Sequence, residues 1–194
     1  MTPMTPMTPM TPMTSDDDDR IAVLVLGLGN VLCGDDGVGV AAVHRLRQRF
    51  VTPEAVRVVD GGTLGLDLLA LVAVSDRVIL VDAVRADGPP GTPVRITGDD
   101  VAATVYERLS VHQIGVADLL AGAALCERYP AEVVIVGVVP ATTDLMLGCT
   151  PVVAAGLDAL VDRVVAELRR LGIEPRRRDE LAPSYDSAAR ALGL

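Results

Sequence analysis

The sequence predicts an α/β fold, a three-layer αβα sandwich on a mostly parallel, twisted sheet. Three observations predict it. Short β-branched apolar runs alternate along the chain with segments of helical period. The runs are apolar throughout, without polar residues at every second position, which is the pattern of strands buried on both faces. They are bounded by Gly, Asp or Pro, the residues that turn a chain at a strand end. With one Phe, three Tyr and no Trp, the core must be filled by Val, Leu, Ile and Ala, which favours helices packed closely on a buried sheet.

In chain order, residues 1–20 come first. Their Met-Thr-Pro repeat and the acidic run Asp16 to Asp19 supply no apolar periodicity, so a disordered low-complexity tail is expected. The charged and apolar regions of a signal peptide are missing from it. A single domain is expected over residues 21–172, since 194 residues suffice for one well-buried α/β unit and are short for two. Its predicted strands are 21–27 (IAVLVLG), 56–60 (VRVVD), 77–82 (RVILVD) and 132–139 (EVVIVGVV). A weaker run, 93–97 (PVRIT), opens with Pro and is predicted at the sheet edge.

Helical faces fill the intervals. Val43, Leu46 and Phe50 form one after the first strand, and Leu64, Leu68 and Leu71 form another after the second. From Gln113 the spacing aligns Ile114, Ala117, Ala121, Ala124 and Leu125. A final helix carries Leu157, Leu160, Val161, Val164, Val165, Leu168 and Leu171. Residues 173–194 break the period at Pro175 and Pro183 and are expected to form a flexible, solvated tail.

Composition excludes several function classes. A net charge of -9 argues against nucleic-acid binding, which needs clustered cations. All 17 basic residues are Arg, so a P-loop lysine, a Schiff-base lysine and a phospho-receiver lysine are absent. Cys33, Cys126 and Cys149 form no CxxC pair, so neither a disulfide framework nor a structural zinc site is indicated, and a reducing cytoplasm fits. No apolar run approaches the roughly 20 residues that span a bilayer.

In open α/β sheets, ligands bind beyond the carboxyl ends of the strands. Three such ends carry Asp here: GLGNVLCGDDGVG (27–39) with Asp35 and Asp36, Asp60 before Gly61-Gly62-Thr63, and Asp82. A dinucleotide fingerprint fails in the first, because the third glycine of GxGxxG would fall at Leu32. One of the paired aspartates as a helix N-cap is the structural alternative there. Asp82 ends an apolar run expected at the sheet centre, where a carboxylate must be hydrogen-bonded, paired or metal-bound. His112 stands before a predicted helix; the other histidine, His44, lies within the first helix and is taken as a surface or packing residue. Asp36, Asp82 and His112 together make a mixed O/N set suited to a divalent first-row metal with coordination positions left open.

These motifs, GLGNVLCGDDGVGV, VVDGGTLGLDLL, VILVDAV, LSVHQIGVADLL and VVIVGVVP, resemble in order and spacing those of the hydrogenase maturation endopeptidases. The resemblance spans roughly residues 21–172. It implies a five-stranded sheet between helices and a metal-binding triad at Asp36, Asp82 and His112, with Asp60 assisting catalysis. It further implies an endopeptidase that removes the C-terminal extension from the nickel-loaded precursor of a [NiFe]-hydrogenase large subunit, the nickel being borne by the substrate. Two mechanisms stay open: a metal-polarised carbonyl or water, and a carboxylate base of the aspartic-protease kind. The expected enzyme is a cytoplasmic monomer whose partner is the large-subunit precursor, with no nucleic acid and no membrane. A non-catalytic nickel-binding maturation chaperone on the same fold is the alternative, and a protease of the same fold acting on an unrelated substrate is a third reading.

Overall fold

In the computed structural model, which describes residues 20–98, 100–101 and 114–179, the first strand is β1, Ile21–Leu28. A 3₁₀ turn, Gly34–Gly37, leads into α1, Val38–Arg49. A two-residue strand β2, Phe50–Val51, precedes β3, Val56–Gly62. A second 3₁₀ turn, Gly65–Leu68, runs into the short α2, Leu69–Ala73. Then come β4, Ser75–Ala83, and β5, Pro93–Thr97. The remaining elements are α3, Ile114–Leu125; β6, Glu132–Val138; α4, Pro151–Ala155; α5, Leu157–Arg170; and β7, Arg176–Arg177.

Five strands make the main sheet in the order β3-β1-β4-β6-β5. All neighbours are parallel except β5, which runs antiparallel to β6 at the edge. The expected sandwich on a mostly parallel five-stranded sheet is therefore the observed fold, and the Pro-led run is its edge strand. Burial explains the continuous apolar runs, because alternate residues serve two cores. Val23, Val25, Ile79, Val81, Val134 and Val136 face α1 and α5. Leu24, Leu26, Val78, Leu80 and Ile135 face Leu68, Val72 and the α3 residues Leu119 and Ala123. Each fully buried aliphatic side chain contributes about 1.5–3 kcal/mol, so loss of any central strand would collapse both layers.

Four expectations change. Phe50 is buried in the same core as Val43 and Leu46, but it lies past the end of α1 in extended backbone and pairs with Arg177 in a small antiparallel ribbon. The segment after β3 tightens into a 3₁₀ turn before becoming helical, so Leu68 is buried while Leu64 lies 54% exposed. In α3 the buried stripe is Val116, Leu119, Leu120 and Ala123, which leaves Leu125 exposed. A run rich in Ala gives a weak period, and the larger side chains decide which stripe turns inward. Finally, the start of the proposed C-terminal tail is docked. Arg176 and Arg177 pair with Val51 and Phe50, and the Arg178 amide donates to Arg49 O at 2.8 Å. Extended residues after Pro175 offer backbone groups to the strand edge beyond α1, an interaction with no side-chain signature. Residues 1–19 and 180–194 of the two expected tails lie outside the described residues. Among the described residues, no helix is long and apolar enough to cross a membrane.

Candidate functional site

The site grows from the loop between β1 and α1. Gly29 has φ +113°, and a Cβ there would fall 1.7 Å from Asp36 O, so only glycine lets the loop fold back onto itself. The fold-back places the Asp36 carboxylate beneath Asn30, whose amide donates to Oδ2 at 2.8 Å. Asn30 then closes a local turn, its Oδ1 accepting from the Leu32 amide at 3.0 Å and its carbonyl from Cys33 at 3.0 Å. Asp36 is completely buried.

The next aspartate does different work. Asp35, also fully buried, accepts from the amides of Ala141 at 2.8 Å and Thr150 at 2.7 Å. The Thr150 hydroxyl donates to it at 2.9 Å. Main-chain bonds run alongside: Gly34 N to Met146 O at 2.8 Å and Met146 N to Leu32 O at 2.9 Å. The loop after β6 is thereby stitched to the loop after β1. Neither aspartate caps the 3₁₀ turn or α1 through its side chain, so the capping alternative is not realised. Burial and the Asp35 charge push the Cys149 thiol up from its ordinary value, which keeps it protonated and a poor nucleophile.

Asp82 is the penultimate residue of β4 and is almost fully buried. Its Oδ1 accepts from the Ala83 amide at 2.7 Å. Val81 and Ala83 on either side belong to the core under α1 and α5, so strand alternation turns Asp82 to the opposite, α3-bearing face. The 3₁₀ turn that holds Asp36 packs against β4, and Gly39 lies so close above the strand ends that a Cβ would meet Val81 O at 2.0 Å. Asp36 and Asp82 are thus brought to one rim by neighbouring elements.

Asp60 is not gathered with Asp82. It pairs in register with Gly27 and shares the alternation of Val56 and Val58, which pack in the α1-side core. Its Oδ2 lies 2.8 Å from His44 Nε2, both side chains being part-exposed. The partnership of His44 and Asp60 was not foreseen, because it depends on α1 crossing over β3, and nothing local to His44 signals that crossing. His112 lies outside the described residues. Among the described residues, no three His, Cys, Asp or Glu side chains converge as a metal-ligand set; of the expected triad, Asp36 and Asp82 are the members that lie among the described residues.

Comparison with known proteins agrees with the fold. A family model described as hydrogenase maturation protease matches residues 40–167. The Hydrogenase 2 maturation protease of Escherichia coli (strain K12) is 36% identical over 160 residues, covering 82% of this chain and 98% of that protein. The hydrogenase expression/formation protein HupD of Rhodobacter capsulatus is 40% identical over 154 residues, covering 78% of this chain and 73% of its own. Among solved structures, the hydrogenase maturating endopeptidase HybD from E. coli superposes with a TM-score of 0.77 at 37% identity, over 81% of this chain and 98% of that one. The [NiFe] hydrogenase maturation protease HybD from Thermococcus kodakarensis does so with a TM-score of 0.61 at 30% identity, over 74% and 96%.

Proposed function

The chain belongs to the hydrogenase maturation protease family, and from that premise we propose that it cuts the C-terminal extension from the nickel-loaded precursor of a [NiFe]-hydrogenase large subunit. The observation that carries this reading is the pair of buried carboxylates, Asp36 and Asp82, on one rim of a fold shared with these endopeptidases. Burying a carboxylate is costly without compensating partners, and two of them at the carboxyl rim of an open sheet lie where such folds bind ligands.

Two carboxylates joined by the His112 imidazole form a hard, mixed donor set that suits nickel as a divalent first-row ion. In this reading the nickel arrives with the substrate. Asp36, Asp82 and His112 hold the precursor by that ion and set the scissile peptide beside it, so that cleavage depends on positioning. Asp36 is fixed by the Asn30 amide, and its loop is braced by the Asp35 hub, so the carboxylate is oriented before substrate arrives. Asp60, turned to the other sheet face against His44, acts on the reaction only through the Gly62 turn, whose carbonyl accepts from the Gly29 amide at 3.0 Å.

The test is cleavage of a nickel-loaded precursor followed by mass spectrometry. Release of a single C-terminal peptide is expected from the wild type, with none from precursor lacking nickel. Stoichiometric nickel uptake without cleavage would instead indicate a maturation chaperone.

A further inference from the structure

The apolar surface of this protein is unevenly distributed. Of the ten large apolar side chains exposed among the described residues, five, Val31, Leu32, Leu145, Met146 and Leu147, stand on the two stitched loops at the carboxyl rim of the sheet, beside Asp36. The most prominent are Leu145 and Leu147, 87% and 81% exposed. Leu32 and Met146 stand with them on the stitched loops. Contiguous apolar patches of this kind on a water-exposed face mark interaction sites.

The collar is a built feature. Met146 is bonded through its own amide and carbonyl to Leu32 and Gly34, and Asp35 clamps both ends of the loop at Ala141 and Thr150. Across residues 29–34 and 141–150, the sole charged side chain is Asp144, and the Thr142 hydroxyl donates to it at 2.8 Å. In a chain of net charge -9, this is a surface cleared of charge. It is continuous with the catalytic rim: Asn30, which holds Asp36 through its amide, receives the Leu32 amide on its side chain.

We propose that this collar is the seat for the folded body of the large-subunit precursor, received through an apolar patch that borders the precursor's metal site. The inference rests on the function proposed above and adds where the substrate's bulk is held. A second copy of this chain is the other apolar-faced occupant. Seated on the collar, it would cover Asp36 and Asp82 and close the site to a protein substrate, whereas a substrate seated there delivers its own processed segment to them. Buried apolar anchors at the centre of such interfaces carry most of the affinity, and Leu145 and Leu147 are the side chains placed to supply it.

The experiment compares the full chain with the double variant Leu145→Ser/Leu147→Ser, and with Leu125→Ser at the opposite end of the sheet as a control for surface apolarity. Both substituted leucines are exposed, so melting temperatures should match. Binding of nickel-loaded precursor is read by biolayer interferometry and cleavage by steady-state kinetics. The double variant should bind about tenfold more weakly and show a KM raised by a similar factor. Its kcat should stay within about twofold, and Leu125→Ser should behave as wild type. Equal binding by wild type and double variant, or no binding by either, overturns the proposal. So does light scattering that shows a wild-type dimer which the double variant converts to monomer. Tenfold weaker binding by the double variant with no cleavage by any form leaves the seat standing and overturns the proteolytic reading instead.

Discussion

Asp35 and Thr150, 115 residues apart in the chain, are joined twice, by the threonine amide at 2.7 Å and by its hydroxyl at 2.9 Å. This link, with the Ala141 amide on the same carboxylate, makes Asp35 the brace of the rim and leaves Asp36 as the carboxylate proposed to meet the substrate's metal. Asp35→Ala would strand several buried donors, each costing about 1–3 kcal/mol, partly relieved by water. A loss of about 3 kcal/mol is expected, lowering the melting temperature by about 10 °C, as differential scanning calorimetry would read.

Asp36→Asn and Asp82→Asn should behave in the opposite way. The amide keeps the shape and still accepts the Asn30 or Ala83 hydrogen bond, so the melting temperature should move little. If both carboxylates hold the substrate's metal, kcat/KM for precursor cleavage should fall by about 10²–10³. Cleavage at wild-type rate by either variant would remove that carboxylate from the proposed site.

Gly39→Ala tests the seating of α1. The added carbon would lie 2.0 Å from Val81 O and 2.4 Å from Leu28 O, both backbone atoms that cannot rotate away. The helix must lift off the strand ends, disturbing the turn that carries Asp36 and the core beneath Val43 and Leu46. A destabilisation above about 3 kcal/mol is expected, measured as a shift of the urea midpoint, with activity falling in parallel.

Glu167 supplies a pH-dependent prediction. Nearly buried on α5, it accepts from Arg95 of the edge strand at 2.5 Å and from Arg170 at 2.9 Å. Hydrogen bonding to Arg95, then to Arg170, outweighs burial and lowers its pKa from the ordinary 4.5. A carboxyl that ionises more readily when folded adds stability that is present above its unfolded pKa and is lost as pH falls through the folded one. Glu167→Gln should therefore be less stable than wild type near pH 7, and the gap should close progressively below about pH 4.5. A gap that stays constant with pH in paired urea titrations would show that packing, not charge, holds β5 to α5.

Much of this was legible in the sequence because burial on two faces leaves a strong mark. The apolar runs located β1, β3, β4 and β6, and Pro93 located the edge strand. Asp82 was legible for the same reason, as a charge at the end of a run that should contain none. What stayed hidden depends on contacts between distant segments. Nothing in the pair Asp35-Asp36 tells which carboxylate braces the loop of Thr150 and which remains at the rim. That division appears only once β6 lies beside β4 and carries its following loop across to the first. The pairing of His44 with Asp60 is hidden likewise, since it needs α1 laid over β3. The ribbon of Phe50 and Val51 with Arg176 and Arg177 is made by backbone groups, and side-chain patterning is silent about it.

That ribbon bears on how the protein is made. Residues 49–51, at the end of α1 and just past it, are made early in synthesis, whereas their partners at 176–178 leave the ribosome only after every strand of the main sheet. A nascent chain can assemble β1, α1 and β3 while the strand edge beyond α1 still offers unpaired backbone groups. Pairing of such distant segments comes late and is closed against loop entropy. Until then that edge is open to other chains. The last few residues of the domain therefore act as a clasp that ends the exposure of its beginning.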